Sequence, residues 1–137
     1  MSLDLVEVLI PIPLMEKFSY LPPKNNSNLL KQGSRVLVPF GKRTLVGVVW
    51  SFSDRDKSLK RKYKHIKEVL DEVPLLDTNS IHLAEWSSRY YHYPLGEIIS
   101  YFFPPSLRKG KEAKFRESQY LELTSKGSFL DEEALSR

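Results

Sequence analysis

The chain has 137 residues, 41% of them hydrophobic and 28% charged, which suits one ordinary globular domain, or a small domain plus a fragment, and excludes a disordered segment. Lys and Arg number 21 against 17 Asp and Glu, a net charge of +4 that hints at an anionic partner. Cysteine is absent, which rules out a disulfide framework, a thiol nucleophile and a cysteine-ligated zinc site, and no apolar run reaches the roughly 18–20 residues of a membrane span, so a soluble intracellular protein is expected.

Leu5–Ile10 alternates, with Val6, Val8 and Ile10 on one face and Glu7 on the other, the period of a strand. Pro11 and Pro13 end it, since proline donates nothing to a ladder. Phe18-Ser19-Tyr20-Leu21 is a short extended piece closed by Pro22-Pro23, and Asn25 to Asn28 is turn chemistry, with Gly33 ending that loop. Val36, Val38 and Phe40 alternate again up to Gly41-Lys42-Arg43. The next run, Leu45 to Phe52, is expected to put Val46, Val48, Trp50 and Phe52 on one side, and the two runs make a hairpin. His65–Leu70 is read as a further strand.

The period then changes. Asp77 or Thr78 caps a helix whose Leu83, Trp86 and Tyr90 fall at helical spacing, the expected core stripe. A second helix opens at Pro94, carries Leu95, Ile98, Ile99, Phe102 and Phe103 as its apolar stripe, and stops at Pro104-Pro105. Strands first and helices after predict an α+β fold, a small, mainly antiparallel sheet or partial barrel with two C-terminal helices. Alternation resumes from Phe115 to Thr124, and a piece of about 25 residues cannot bury a core alone. The expected organisation is one domain over 1–110 and the beginning of a second over 111–137.

Enzyme chemistry finds little support. His65, His82 and His92 form no HExxH spacing and read as surface residues. No GxxxxGK[ST] loop or GxSxG elbow is present, and Glu68 and Asp71 read as a solvated pair among lysines. The strongest feature is basic: Arg55, Lys57, Lys60, Arg61, Lys62, Lys64 and Lys67 stand against Asp56 alone. Such a run is either a solvated loop that discourages edge pairing or an anion-attracting surface. Lys31, Arg35, Lys42 and Arg43 would add to the second. Phe18 and Tyr20, two residues apart on an extended piece, share a face, as a core pair or as a platform for a base. Gly41 is a hairpin glycine that could also let a ligand approach the backbone.

Four stretches carry a resemblance: VEVLIPIPLMEKFSYLPP, GSRVLVPFGKRTLVGVVWSFSD, KHIKEVLDEVPLL and YYHYPLGEIISYFFPPSLRKG. In order and spacing they resemble the N-terminal region of the primosomal replication-restart helicases of the PriA family, over about residues 5–110. YLELTSKG resembles the start of that family's winged-helix domain. The resemblance implies a DNA-binding domain that holds the 3′ end of the leading strand at a stalled or branched fork.

It also implies a pocket for that end made by Phe18, Ser19, Tyr20, Gly41 and Lys64, with Ser19 standing where the family has aspartate. Arg43, Lys60, Arg61 and Lys62 are expected phosphate contacts. No metal or cofactor is expected in this chain, because the ATP site and the zinc-binding cysteines of such helicases lie in other parts. The expected partners are forked DNA with a 3′-terminated strand, then single-strand-binding and other primosome proteins, in the cytoplasm of a bacterium, at the nucleoid, with no membrane. The alternatives are a general single-strand binder and a protein-docking module, neither of them recognising ends.

Overall fold

Apolar residues on both faces place β1 (Leu5–Leu9) at the heart of the protein. Val6, Val8 and the following Ile10 enter one core cluster, and Leu9 enters another on the opposite face. The computed structural model describes residues 4–54, 61–115, 117–122 and 124. Around β1 are β2 (Phe18–Tyr20), β3 (Arg35–Phe40), β4 (Arg43–Ser53) and β5 (Glu68–Val69), all antiparallel, in the order β2-β1-β4-β3-β5. The helices follow as α1 (Thr78–Tyr91), α2 (Leu95–Tyr101) and a short α3 (Pro105–Arg108). The α+β order read from the sequence is the order found.

The sheet curls without closing. Its outer edges meet at one parallel bridge, where Leu21, just past β2, pairs with His65. The segment expected as one strand over 65–70 is in fact divided. Ile66 bonds to Leu21, whereas the N–H groups of Lys67 and Leu70 donate to the carbonyls of Leu37 and Arg35 on β3, leaving only Glu68–Val69 as strand. One short segment thus ties both edges together.

The expected hairpin forms between β3 and β4, with Phe40 paired to Arg43 across Gly41-Lys42. Gly41 has φ 57°, the positive value that a two-residue turn with glycine first requires. On the other side of β4 the register slips: Val8 pairs with Val49 but Glu7 with Ser51, so Trp50 is an extra residue. The bulge overturns one expectation. Val48 and Trp50 pack on the helix side, whereas Phe52 packs with the cluster on the opposite face. An alternating pattern cannot reveal the residue at which the alternation itself resets.

Helix α1 begins as expected, with the Asp77 carboxylate accepting from Ser80 N–H at 2.7 Å. Its buried face is not the expected one. Ile81, Ala84 and Ser88 turn inward, while Leu83, Trp86 and Tyr90 are more than half exposed. A small-residue face lets the helix lie close to α2. In α2, Ile99 is buried as expected, and Phe103 beyond its end joins the same cluster. Gly96 sits where a Cβ would come within 2.0 Å of the Ile10 carbonyl oxygen, so only glycine permits this approach of α2 to the end of β1. Pro104-Pro105 does not simply stop the helical region, because Pro105 opens α3.

Two charged residues read as surface groups are buried instead. Arg35 is fully buried and Asp71 nearly so, with a guanidinium–carboxylate contact of 2.6 Å. Arg35 Nη1 also donates to the carbonyls of Leu107 and Lys111, which fastens the chain beyond α3 to β3. Arg35 therefore adds nothing to a surface field, and Asp71 is no solvated carboxylate. His65, His82 and His92 are exposed, as read. Residues 111–115, 117–122 and 124 lie outside any helix or strand. The rest of the segment expected to begin a second domain falls outside the described residues.

Candidate nucleic-acid interface

At the end where the curled sheet stays open there is a cavity of about 370 Å³. Three pieces of chain wall it: residues 16–20 at β2, Pro39-Phe40-Gly41 at the β3–β4 turn, and Arg61 to Lys64. Phe18, Ser19, Tyr20, Gly41 and Lys64, far apart in sequence, all border this one space. Arg61 and Lys62 join them, whereas Arg43 stands exposed on the hairpin outside the lining. Lys60, with Arg55 and Lys57, lies outside the described residues.

Tyr20 and Phe18 serve the core and the cavity at once. Tyr20 is buried against Val6, Val8 and Val38, and its hydroxyl donates to the Pro39 carbonyl at 3.0 Å. Burial pushes its phenol above the ordinary value. Phe18 is only partly buried and meets Phe40 edge to face, with ring centroids 5.2 Å apart. Of the two readings, the structure places both rings in the core, Tyr20 buried within it and Phe18 packed against it, at the border of the cavity.

Ser19 behaves differently. It alternates with Phe18 and Tyr20, and its hydroxyl donates to Glu7 Oε1 at 2.8 Å, on the opposite face of the strand pair. Ser53 donates to the same oxygen at 2.9 Å. A hydroxyl so engaged does not stand in for a free carboxylate.

Electrostatically the site is cationic. Lys17, Arg61, Lys62 and Lys64 border it with Glu16 as the acid among the lining residues. Lys42 and Arg43 stand on the adjacent turn, all of them exposed. The Lys64 carbonyl accepts from Leu21 N–H at 2.9 Å, so its backbone is fixed beside β2. At Gly41 a Cβ would meet nothing within 4 Å, which leaves open space over the backbone at the cavity mouth. Rings, exposed cations and a bare stretch of backbone suit an anionic, partly aromatic ligand such as a nucleotide. No group of His, Asp or Glu among the described residues is placed to hold a metal ion.

Sequence reasoning missed Lys17, Pro39, Phe40 and Tyr63 as lining residues. Phe40 had a signal, since it ends an alternating run directly before the turn glycine. Lys17 and Tyr63 had none beyond their charge and ring.

Residues 7–104 match the family model of the PriA 3′ DNA-binding domain. The chain is 30% identical to the replication restart protein PriA of Buchnera aphidicola subsp. Acyrthosiphon pisum over 127 residues, which is 93% of the chain and 17% of that protein. It is 31% identical to the same-named protein of Haemophilus influenzae over 125 residues, 91% of the chain and 17% of the relative. A shorter match, 31% over 71 residues, covers 52% of the chain and 9% of the Bacillus subtilis protein. The chain thus spans about a sixth of the length of these relatives. By the match over most of its length, it belongs to the PriA 3′ DNA-binding domain family.

Proposed function

We propose that this domain captures the 3′-terminated strand of a stalled or branched replication fork by admitting its last nucleotide to the cavity between β2, the β3–β4 turn and residues 61–64. The observation that carries this reading is the convergence of Phe18, Phe40, Gly41, Arg61, Lys62 and Lys64 on one open space. Phe18 and Phe40 offer ring surface to an unstacked base. Gly41 leaves the backbone bare where the sugar edge with its free hydroxyl would lie. Lys64, with Arg61 and Lys62 beside it, meets the penultimate phosphate and supplies salt-sensitive affinity. A strand that continues past this nucleotide would have to run through the walls. Selectivity for an end is then steric, and affinity is electrostatic.

Within a longer protein of the relatives' size, the domain would deliver the fork to an ATP-driven motor and to primosome partners carried or recruited by other parts. Anisotropy titration of the 137-residue chain with otherwise identical DNA ending in 3′-hydroxyl or 3′-phosphate tests the end claim. The hydroxyl end is expected to bind about tenfold tighter, near 1.4 kcal/mol. Equal affinities would remove end recognition and leave a general single-strand binder.

A further inference from the structure

The chain leaving α3 is basic, and a buried group holds it in place. Arg35 Nη1, on a fully buried side chain, donates to the Leu107 carbonyl at 2.7 Å and to the Lys111 carbonyl at 3.0 Å. The segment also closes on itself, with Gly110 N–H donating to Leu107 and Lys111 N–H to Ser106. On its other side the guanidinium is balanced by the Asp71 carboxylate. A solvated lysine loop requires no such anchor. Here the anchor fixes the backbone under three exposed cations, Arg108, Lys109 and Lys111. Arg108 is turned to the Tyr101 ring, 5.7 Å from its centroid, which leaves Lys109 and Lys111 to meet a partner.

Gly110, between those two lysines, gives their place on the sheet. A Cβ there would lie 3.5 Å from Val46 Cγ2 and 3.8 Å from Leu37 Cδ2, so the turn rests on the facing pair Leu37 and Val46 of the β3–β4 hairpin. Leu37 is three residues from Phe40 at the cavity, about 10 Å at ~3.3 Å per residue. Thr44 lies between, on the same face of β4 as Val46, and the Lys67 ammonium donates to its hydroxyl. Lys42 and Arg43 stand exposed at the turn itself. Cations thus run from the cavity mouth along one face of the hairpin to Lys109 and Lys111. Glu68, in register with Leu37, brings one negative charge to this face, and Glu112 is taken by Lys114 at 2.9 Å.

We propose that this row is a track for the phosphodiester backbone of the strand whose 3′ end enters the cavity. The route rests on the 3′-end reading above. From Lys64 the strand rounds the turn past Lys42 and Arg43, and its next phosphates meet Lys67, Lys109 and Lys111. At the ~3.4 Å per nucleotide of a stacked strand, 10 Å is about three nucleotides. Because Arg35 has already ordered the backbone, contact costs only the freedom of the lysine side chains. The track reads no base; it adds affinity that grows with strand length and falls with salt.

The test titrates the 137-residue chain against a dodecanucleotide and a dinucleotide, both labelled at the 5′ end and sharing one 3′ end. Lys109→Ala/Lys111→Ala removes two exposed side chains and keeps the backbone bonds to Arg35. It is expected to weaken the dodecanucleotide about tenfold near physiological salt, with a salt slope about 1.4 shallower, as two lost phosphate contacts require. The dinucleotide is too short to reach the track and is expected to change by less than about twofold. Lys24→Ala/Lys31→Ala removes the same charge from the exposed loop before β3 and is expected to alter dodecanucleotide binding by less than about twofold.

An unchanged dodecanucleotide affinity and slope in Lys109→Ala/Lys111→Ala would overturn the track. So would an equal loss in Lys24→Ala/Lys31→Ala, which reduces the effect to net charge, or an equal loss for the dinucleotide. If the dinucleotide binds too weakly to measure, the two dodecanucleotide comparisons decide. A covalently closed circle separates this claim from the one it rests on. If circle and line bind the unaltered chain equally, and Lys109→Ala/Lys111→Ala weakens both, end recognition falls and the phosphate track stands.

Discussion

The hydroxyl of Tyr20 donates to the carbonyl of Pro39, 3.0 Å away, and so joins the outermost strand of the sheet to the end of β3 directly before the Gly41 turn. Two walls of the cavity are therefore one hydrogen-bonded unit, with the Tyr20 ring packed beneath them among buried valines.

Tyr20→Phe should cost about 1 kcal/mol of stability, because the ring stays and only the hydrogen bond is lost. The pH dependence has a definite sign. Burial raises the folded-state pKa of Tyr20 above the ordinary value of 10.0, so its contribution is whole below pH 10 and is lost as pH rises through the higher folded value. Urea titrations between pH 8 and 11 should show a steeper alkaline loss in the unaltered chain than in Tyr20→Phe.

Breaking the Arg35–Asp71 pair from one side should be far more damaging. Arg35→Met leaves a carboxylate buried without its cation and frees the Leu107 and Lys111 carbonyls, at a cost of about 3–5 kcal/mol. Denaturant unfolding measures it. Proteolysis at Arg108, Lys109 and Lys111 should also speed up, since the chain beyond α3 has lost its anchor.

On α1 two substitutions should separate the buried face from the exposed one. Ile81→Ala should cost about 2–4 kcal/mol as a core truncation. Trp86→Ala should cost under about 1 kcal/mol, since Trp86 is 52% exposed and stacks on Tyr90 at the surface. Iodide should quench Trp86 emission strongly and Trp50, buried beneath the helices, weakly.

That helix shows where sequence reasoning reaches and where it stops. Caps, prolines and periods are local, so the Asp77 cap, the β3–β4 hairpin and the order of strands and helices were legible. Which side of α1 packs inward is decided by how close the helix must come to α2, and small Ala84 and Ser88 prevail there over the larger Leu83 and Trp86. The Trp50 bulge is likewise set by pairing with β1, which no window on β4 can sense. Arg35 and Asp71 read as surface charges because their partnership spans 36 residues. The cavity residues were legible only through resemblance to a family. Spacing alone left Phe18 and Tyr20 undecided, and it gave no sign that the Ser19 hydroxyl would turn to Glu7.

Gly41→Ala should affect binding more than folding. At φ 57° an alanine is strained by about 1–2 kcal/mol, yet its Cβ meets no atom within 4 Å. The folded variant should therefore persist at modest cost. Its methyl group would stand where the sugar edge approaches, so affinity for 3′-ended DNA should fall at least tenfold. Thermal unfolding and anisotropy on the same preparation separate the two effects.

End capture itself is tested most directly by topology. A single-stranded oligonucleotide and its covalently closed circle share length, sequence and charge, and differ only in having a terminus. At near-physiological salt the linear form should bind the 137-residue chain about tenfold or more tightly than the circle, and Lys64→Ala should weaken the linear form with a salt slope about 0.7 shallower, as one lost phosphate contact on a single strand requires. Equal affinities for line and circle would contradict the claim that the cavity takes a strand's last nucleotide.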